Sequence, residues 1–183
     1  MSDFEYASVV VSIVLALGIA DILRFIADTF RESGDRKIYW VHLVWIFLLL
    51  ELHVEFWWRM WSFRDMVVVG PILGFLLLGP ALLFVATRTL LPASASDADL
   101  HALYFRRKTL FFILMVLLNI WSLIASPWGL GATSREGMTG TMIVFAVVMI
   151  LFIASIFSSN RLLHYGVVSM VVTLELLDII AVM

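Results

Sequence analysis

The sequence predicts an all-α, polytopic integral membrane protein: a single six-helix transmembrane bundle over residues 1–183 with no soluble domain. Three observations predict it. Hydrophobic residues make up 63% of the 183 and charged residues only 14%, the mean hydropathy is +1.05, and six separate stretches approach the roughly 20 apolar residues that a helix needs to cross hydrocarbon. A water-soluble domain of this composition would carry a very large exposed apolar patch, so lipid is the solvent that fits.

The first span is expected over about 8–30 and stops at the polar Arg31-Glu32-Ser33-Gly34-Asp35-Arg36-Lys37, which lipid would not accept. Met1 to Glu5 lacks the basic start of a cleaved signal peptide, so this helix is expected to be retained as a span. Span two, about 38–63, carries Tyr39 and Trp40 at one end and Trp57, Trp58 and Trp61 at the other, where interfacial aromatic belts sit. Span three, about 67–91, holds Gly70-Pro71, Gly74 and Gly79-Pro80 and should kink near its middle.

The segment 92–108 joins spans three and four. Asp97 is the expected N-cap, with Leu100, Leu103, Tyr104 and Phe105 lying along the interface as a short amphipathic turn. Span four is expected at about 109–126, closed by the turn signal Pro127-Trp128-Gly129, and span five at about 141–158. Ser158-Ser159-Asn160 supplies capping chemistry for span six, about 162–182, and the short connection makes five and six an antiparallel hairpin.

Basic residues orient the bundle. With the N-terminus outside, Arg31, Arg36, Lys37, Arg106, Arg107, Lys108 and Arg161 fall at the cytoplasmic side and only Arg59, Arg64 and Arg135 outside, so N-out and C-out is expected. Arg24 and Arg88, toward the cytoplasmic ends of their spans, agree. No convincing sequence repeat relates spans one to three with four to six, although inverted halves can share a fold without legible similarity. The pattern matches small multi-pass proteins of the bacterial inner membrane, which sets the expected location.

Several function classes drop out. A net charge of −2 gives no basic excess for nucleic acid. The absence of cysteine removes disulfides, thiolate zinc sites and iron–sulfur clusters. Nucleophile elbow, P-loop, zincin signature and Gly-rich dinucleotide loop are all missing. His42 and His53 share a face of span two, with His101 and His164 the only histidines left to face them, so haem is disfavoured, no cofactor is expected, and His53 and His164 are weak metal candidates. His42 is expected at the interface and His53 as a hydrogen-bonded core residue.

The informative residues are charges at membrane depth, which cost about 2.5–3.5 kcal/mol each near the bilayer centre unless compensated. Glu51, Glu55 and Arg59 recur at i, i+4 and i+8 on span two, while His164, Glu175 and Asp178 share a face of span six. At about 1.5 Å per residue, Glu51 and Glu175 reach the same height, with Glu55 and Asp178 about one turn further out. Four carboxylates are therefore expected to share the outer half of the membrane, as a cation or proton site would require.

On span one Asp21, Arg24 and Asp28 also share a face, suited to an internal salt bridge that anchors against Arg88 or, less plausibly by depth, Asp65. Asp21, Arg24, Asp28, Arg88 and the mid-span amide Asn119 are candidates for a gate or relay. Ser8, Ser12, Ala16 and Ala20 form a small-residue stripe, and Gly70 with Gly74 a small-xxx-small pair, both expected at helix contacts.

The expected function is a proton or cation channel or transporter-like protein, in contact with lipid and with a homo-oligomer or another membrane protein as partner. The alternatives are a membrane-embedded assembly subunit with structural charges, and a membrane enzyme or haem protein.

Overall fold

The computed structural model describes residues 3–31, 37–64, 70–93, 99–129 and 135–182, with the side chains of 126–129, 135–139, 141 and 178–182 outside the description. The described residues form six helices: α1 (Asp3–Arg31), α2 (Trp40–Arg59, continued by a 3-10 turn Met60–Phe63), α3 (Gly70–Leu90), α4 (Leu100–Gly129), α5 (Arg135–Phe157) and α6 (Arg161–Val182). Four are long and apolar enough to cross a membrane: α1, α2 with its 3-10 turn, α3 and α4. The described apolar part of α5, Met142–Phe157, is shorter.

Apolar side chains cover both faces of these helices. In α1 the inward stripe is Ala7, Val11, Leu15, Gly18, Ile22 and Phe25, yet Val9, Ile13, Leu17 and Leu23 on the outer face are exposed. A helix in water keeps a polar outer face, so apolar residues on both sides are what a lipid surround selects. α2 is the hub, packing on α1, α3, α4 and α6, while α4 joins α3 and α5.

Two glycines set the closest approaches. A Cβ on Gly18 would fall 2.8 Å from Cδ2 of His53 and closer still to Nε2, so α1 meets α2 only because that position has no side chain. A Cβ on Gly79 would lie 2.7 Å from Phe56 and 2.8 Å from Trp121. There Trp121 stacks on Phe56, with centroids 5.2 Å apart, and its indole N–H donates to the Phe75 carbonyl at 2.9 Å. α3 runs unbroken through Pro80, and that indole bond falls in the turn where proline withholds a backbone donor.

The small-residue expectations need correction. Gly70 and Gly74 have nothing within 4 Å of a Cβ, and Ala16 and Ala20 are exposed. Every face of such a helix is apolar, so small residues alone do not reveal which side meets a neighbour.

α4 also differs from expectation. It starts at Leu100 and runs through Pro127 to Gly129, where a span from 109 and a turn at Pro127 were expected. Leu100, Leu103 and Tyr104 are core residues, not an interfacial turn. Asp97 lies outside the described residues; Asp99 caps the helix, its Oδ1 accepting from the Ala102 N–H at 2.9 Å. Lys37 reaches Asp99 at 3.6 Å and its carbonyl accepts from Leu100 N–H at 3.1 Å, tying the entry of α2 to the start of α4. Asn160 caps α6, accepting from Leu162 N–H at 2.9 Å.

Lys108, expected at a membrane boundary, is buried. Its ammonium donates to the carbonyls of Ser155 at 3.1 Å and Ile156 at 2.9 Å. Those carbonyls belong to the last turn of α5, which lacks further helical donors and carries the negative end of the helix dipole.

Candidate functional site

One carboxylate oxygen from each of Glu51, Glu55 and Glu175 lies within 4.8 Å of the other two, and all three residues are half-buried. The convergence follows from helix geometry. A spacing of four residues stacks Glu51 and Glu55 on one face of α2, and that face meets α6 where Glu175 projects. Arg59, one further turn along α2, forms an ion pair with Glu55. Asp178 is in α6, but its side chain lies outside the described residues.

Carboxylate oxygens are hard donors, suited to cations such as calcium, magnesium or sodium rather than to soft metals. Oxygens bound to one calcium ion at about 2.3–2.6 Å stand no more than about 5 Å apart, a limit the 4.8 Å spread satisfies. Three ionised carboxylates this close repel by roughly 3–4 kcal/mol per pair at an effective dielectric of about 20. Arg59, paired with Glu55, offsets part of that charge.

The other candidates lie elsewhere. Asp21 bridges two arginines in the α1–α3 seam: Oδ1 accepts from Arg24 at 3.3 Å and Oδ2 from Arg88 at 3.2 Å. Arg88 is therefore the anchor for α1; Asp65 is outside the described residues. Asp28 lines a pocket together with Asp21, Arg24 and Arg88. Asn119 is half-buried on α4, and its side-chain oxygen makes no hydrogen bond among the described residues.

Three of the four histidines, His42, His53 and His164, are fully buried. His53 is buried against Gly18 and its Nδ1–H donates to the Leu49 carbonyl at 2.6 Å. His42, expected at the interface, is fully buried beside Phe25 and Tyr104. His164 is held by Tyr104, whose hydroxyl donates to Nδ1 at 2.9 Å, and by the Ser158 carbonyl, which accepts from Nε2 at 3.0 Å. Both ring nitrogens of His164 are thereby engaged. Among the described residues, the ligand atoms of Glu51, Glu55 and Glu175 form the group close enough to share a metal, and no histidine joins them.

Sequence reasoning placed Tyr104 along the interface and Lys108 at the cytoplasmic side, whereas both are buried. A signal existed: Leu100, Tyr104, Lys108, Phe111 and Met115 repeat at helical spacing, so the buried stripe of α4 passes straight through the lysine.

No protein-family model matches the chain, and no curated protein or solved structure matches it. Function is then to be read from the side chains themselves.

Proposed function

We propose that this chain is a membrane protein whose six helices all cross the bilayer, with both termini outside, and that it binds and moves a hard cation or proton through Glu51, Glu55 and Glu175. The proposed location is a bacterial inner membrane. The supporting observation is the meeting of three carboxylates from two helices within 4.8 Å. Asp178, one turn beyond Glu175, is proposed as a fourth member. Because the site joins α2 to α6, occupancy couples those helices, and a path between protomers of a homo-oligomer suits so slim a bundle. The Asp21 group belongs to another seam and has no place in the proposed path.

Reconstitution into liposomes tests this. A proton- or cation-driven flux is expected, and Glu51→Gln or Glu175→Gln should abolish it while helix content and monodispersity are kept; unchanged flux in both variants overturns the proposal. A cation that binds only the folded protein at 100 times its dissociation constant adds about 2.7 kcal/mol of stability, and that gain should vanish in the same variants.

A second reading has its own support. Arg59 neutralises Glu55, and Arg24 and Arg88 flank Asp21, as expected of charges that only specify helix pairing in an assembly subunit. Co-purification of a stoichiometric membrane partner without flux would favour it.

A further inference from the structure

The α1–α3 seam holds a second polar feature that the proposed cation site does not use. A cavity of about 90 Å³ is lined by Asp21, Arg24, Asp28 and Arg88, with Phe25, Leu91 and Pro92 as its apolar wall. We propose that it binds the phosphoethanolamine headgroup of a zwitterionic phospholipid, an inference that rests on the membrane reading but not on cation binding.

Four features of the cavity fit that ligand. Asp21 gives one oxygen to each arginine, at 3.3 and 3.2 Å, which holds the two guanidinium groups beside one another. Each guanidinium has five N–H donors in a planar fork suited to phosphate, and one contact to Asp21 leaves others available. Arg24 and Arg88 are 72% and 51% exposed at the side chain, so these donors can be reached from outside. Asp28, two turns beyond Asp21 on α1, supplies an acceptor for an ammonium.

Charge and position narrow the choice. Two arginines and two aspartates sum to zero, so the pocket complements a ligand carrying both signs better than a purely anionic head. Asp28 falls in the last turn of α1 and Arg88 in the last turn of α3, both helices apolar enough to span, while Arg24 and Asp21 lie about one and two turns further back along α1, from where a long arginine side chain reaches toward the headgroups. The wall of Phe25, Leu91 and Pro92 suits the first carbons below the phosphate.

Native mass spectrometry of the purified full-length protein in detergent tests the assignment, with phosphatidylethanolamine, phosphatidylglycerol and water-soluble glycerophosphoethanolamine as probes. Phosphatidylethanolamine should be retained in preference to phosphatidylglycerol, and Arg24→Gln or Arg88→Gln should each weaken retention about tenfold, the effect of losing one charge-assisted hydrogen bond. Arg64→Gln, at the far end of α2, should leave retention unchanged. Asp28→Asn should shift the preference toward phosphatidylglycerol. Equal retention by wild type and an Arg24→Gln, Arg88→Gln double variant overturns the site, and tighter binding of glycerophosphoethanolamine than of the lipid overturns the bilayer as its source. Arg24 is largely exposed, so its variant should fold even if that of Arg88 does not. The Glu51 and Glu175 variants should retain the lipid, which separates failure here from failure of the cation site.

Discussion

The hydroxyl of Tyr104 on α4 donates a 2.9 Å hydrogen bond to Nδ1 of His164 on α6, joining residues 60 apart in the chain. His164 Nε2 donates in turn to the Ser158 carbonyl just before α6. One imidazole therefore links α4, the α5–α6 connection and α6. Tyr104→Phe keeps the ring but strips the donor, leaving a buried nitrogen unsatisfied at a cost of about 1–3 kcal/mol. Thermal unfolding in detergent should show that loss, and His164→Phe combined with it should cost less than the sum of the two.

Gly18 and Gly79 are expected to tolerate alanine poorly. In an open helix the exchange would stabilise by about 1 kcal/mol. Here the methyl would enter the His53 ring or the Phe56–Trp121 stack, and overpacking of about 1–3 kcal/mol outweighs the propensity gain. Gly74→Ala, with open space around it, should be neutral or stabilising in the same thermal measurement.

Lys108→Met preserves length and apolar stem but removes the ammonium from the Ser155 and Ile156 carbonyls. The end of α5 should fray. Hydrogen exchange at the Ser158 amide, which bonds to the Ala154 carbonyl, is expected to accelerate by about tenfold, corresponding to a loss of about 1.4 kcal/mol.

Asp99 gives the fold a weak acid dependence. The Ala102 N–H holds its carboxyl below the ordinary value of 3.8, with Lys37 adding to the effect. A carboxylate lowered on folding contributes stability above its unfolded value, and that contribution is lost as pH falls through the folded value. Stability measured from neutral pH downward should therefore decline below about pH 4 in wild type. Asp99→Asn keeps a cap oxygen without the charge and should remove this part of the decline.

Height along the helices was legible in the sequence. Rise per residue turns an offset into a depth, which is why Glu51 could be levelled with Glu175 and Asp21 with Arg88 before any packing was known. The caps at Asn160 and the exposed Trp57, Trp58 and Trp61 were equally local features. The start of α4 was not: the charges at Arg106, Arg107 and Lys108 read as loop, whereas the lysine is satisfied by another helix that no local pattern identifies.

The sequence by itself determined that the chain is helical, apolar on all sides and charged at matched depths, since those properties depend only on composition and spacing. Tertiary structure alone decided the rotation of each helix: that Gly18 meets His53, that Gly79 receives Trp121, and that Glu175 turns toward Glu51 and Glu55. When lipid surrounds a bundle, inner and outer faces are both apolar, so hydrophobic periodicity no longer marks the inside. Shape and a few polar contacts between helices then select the neighbours.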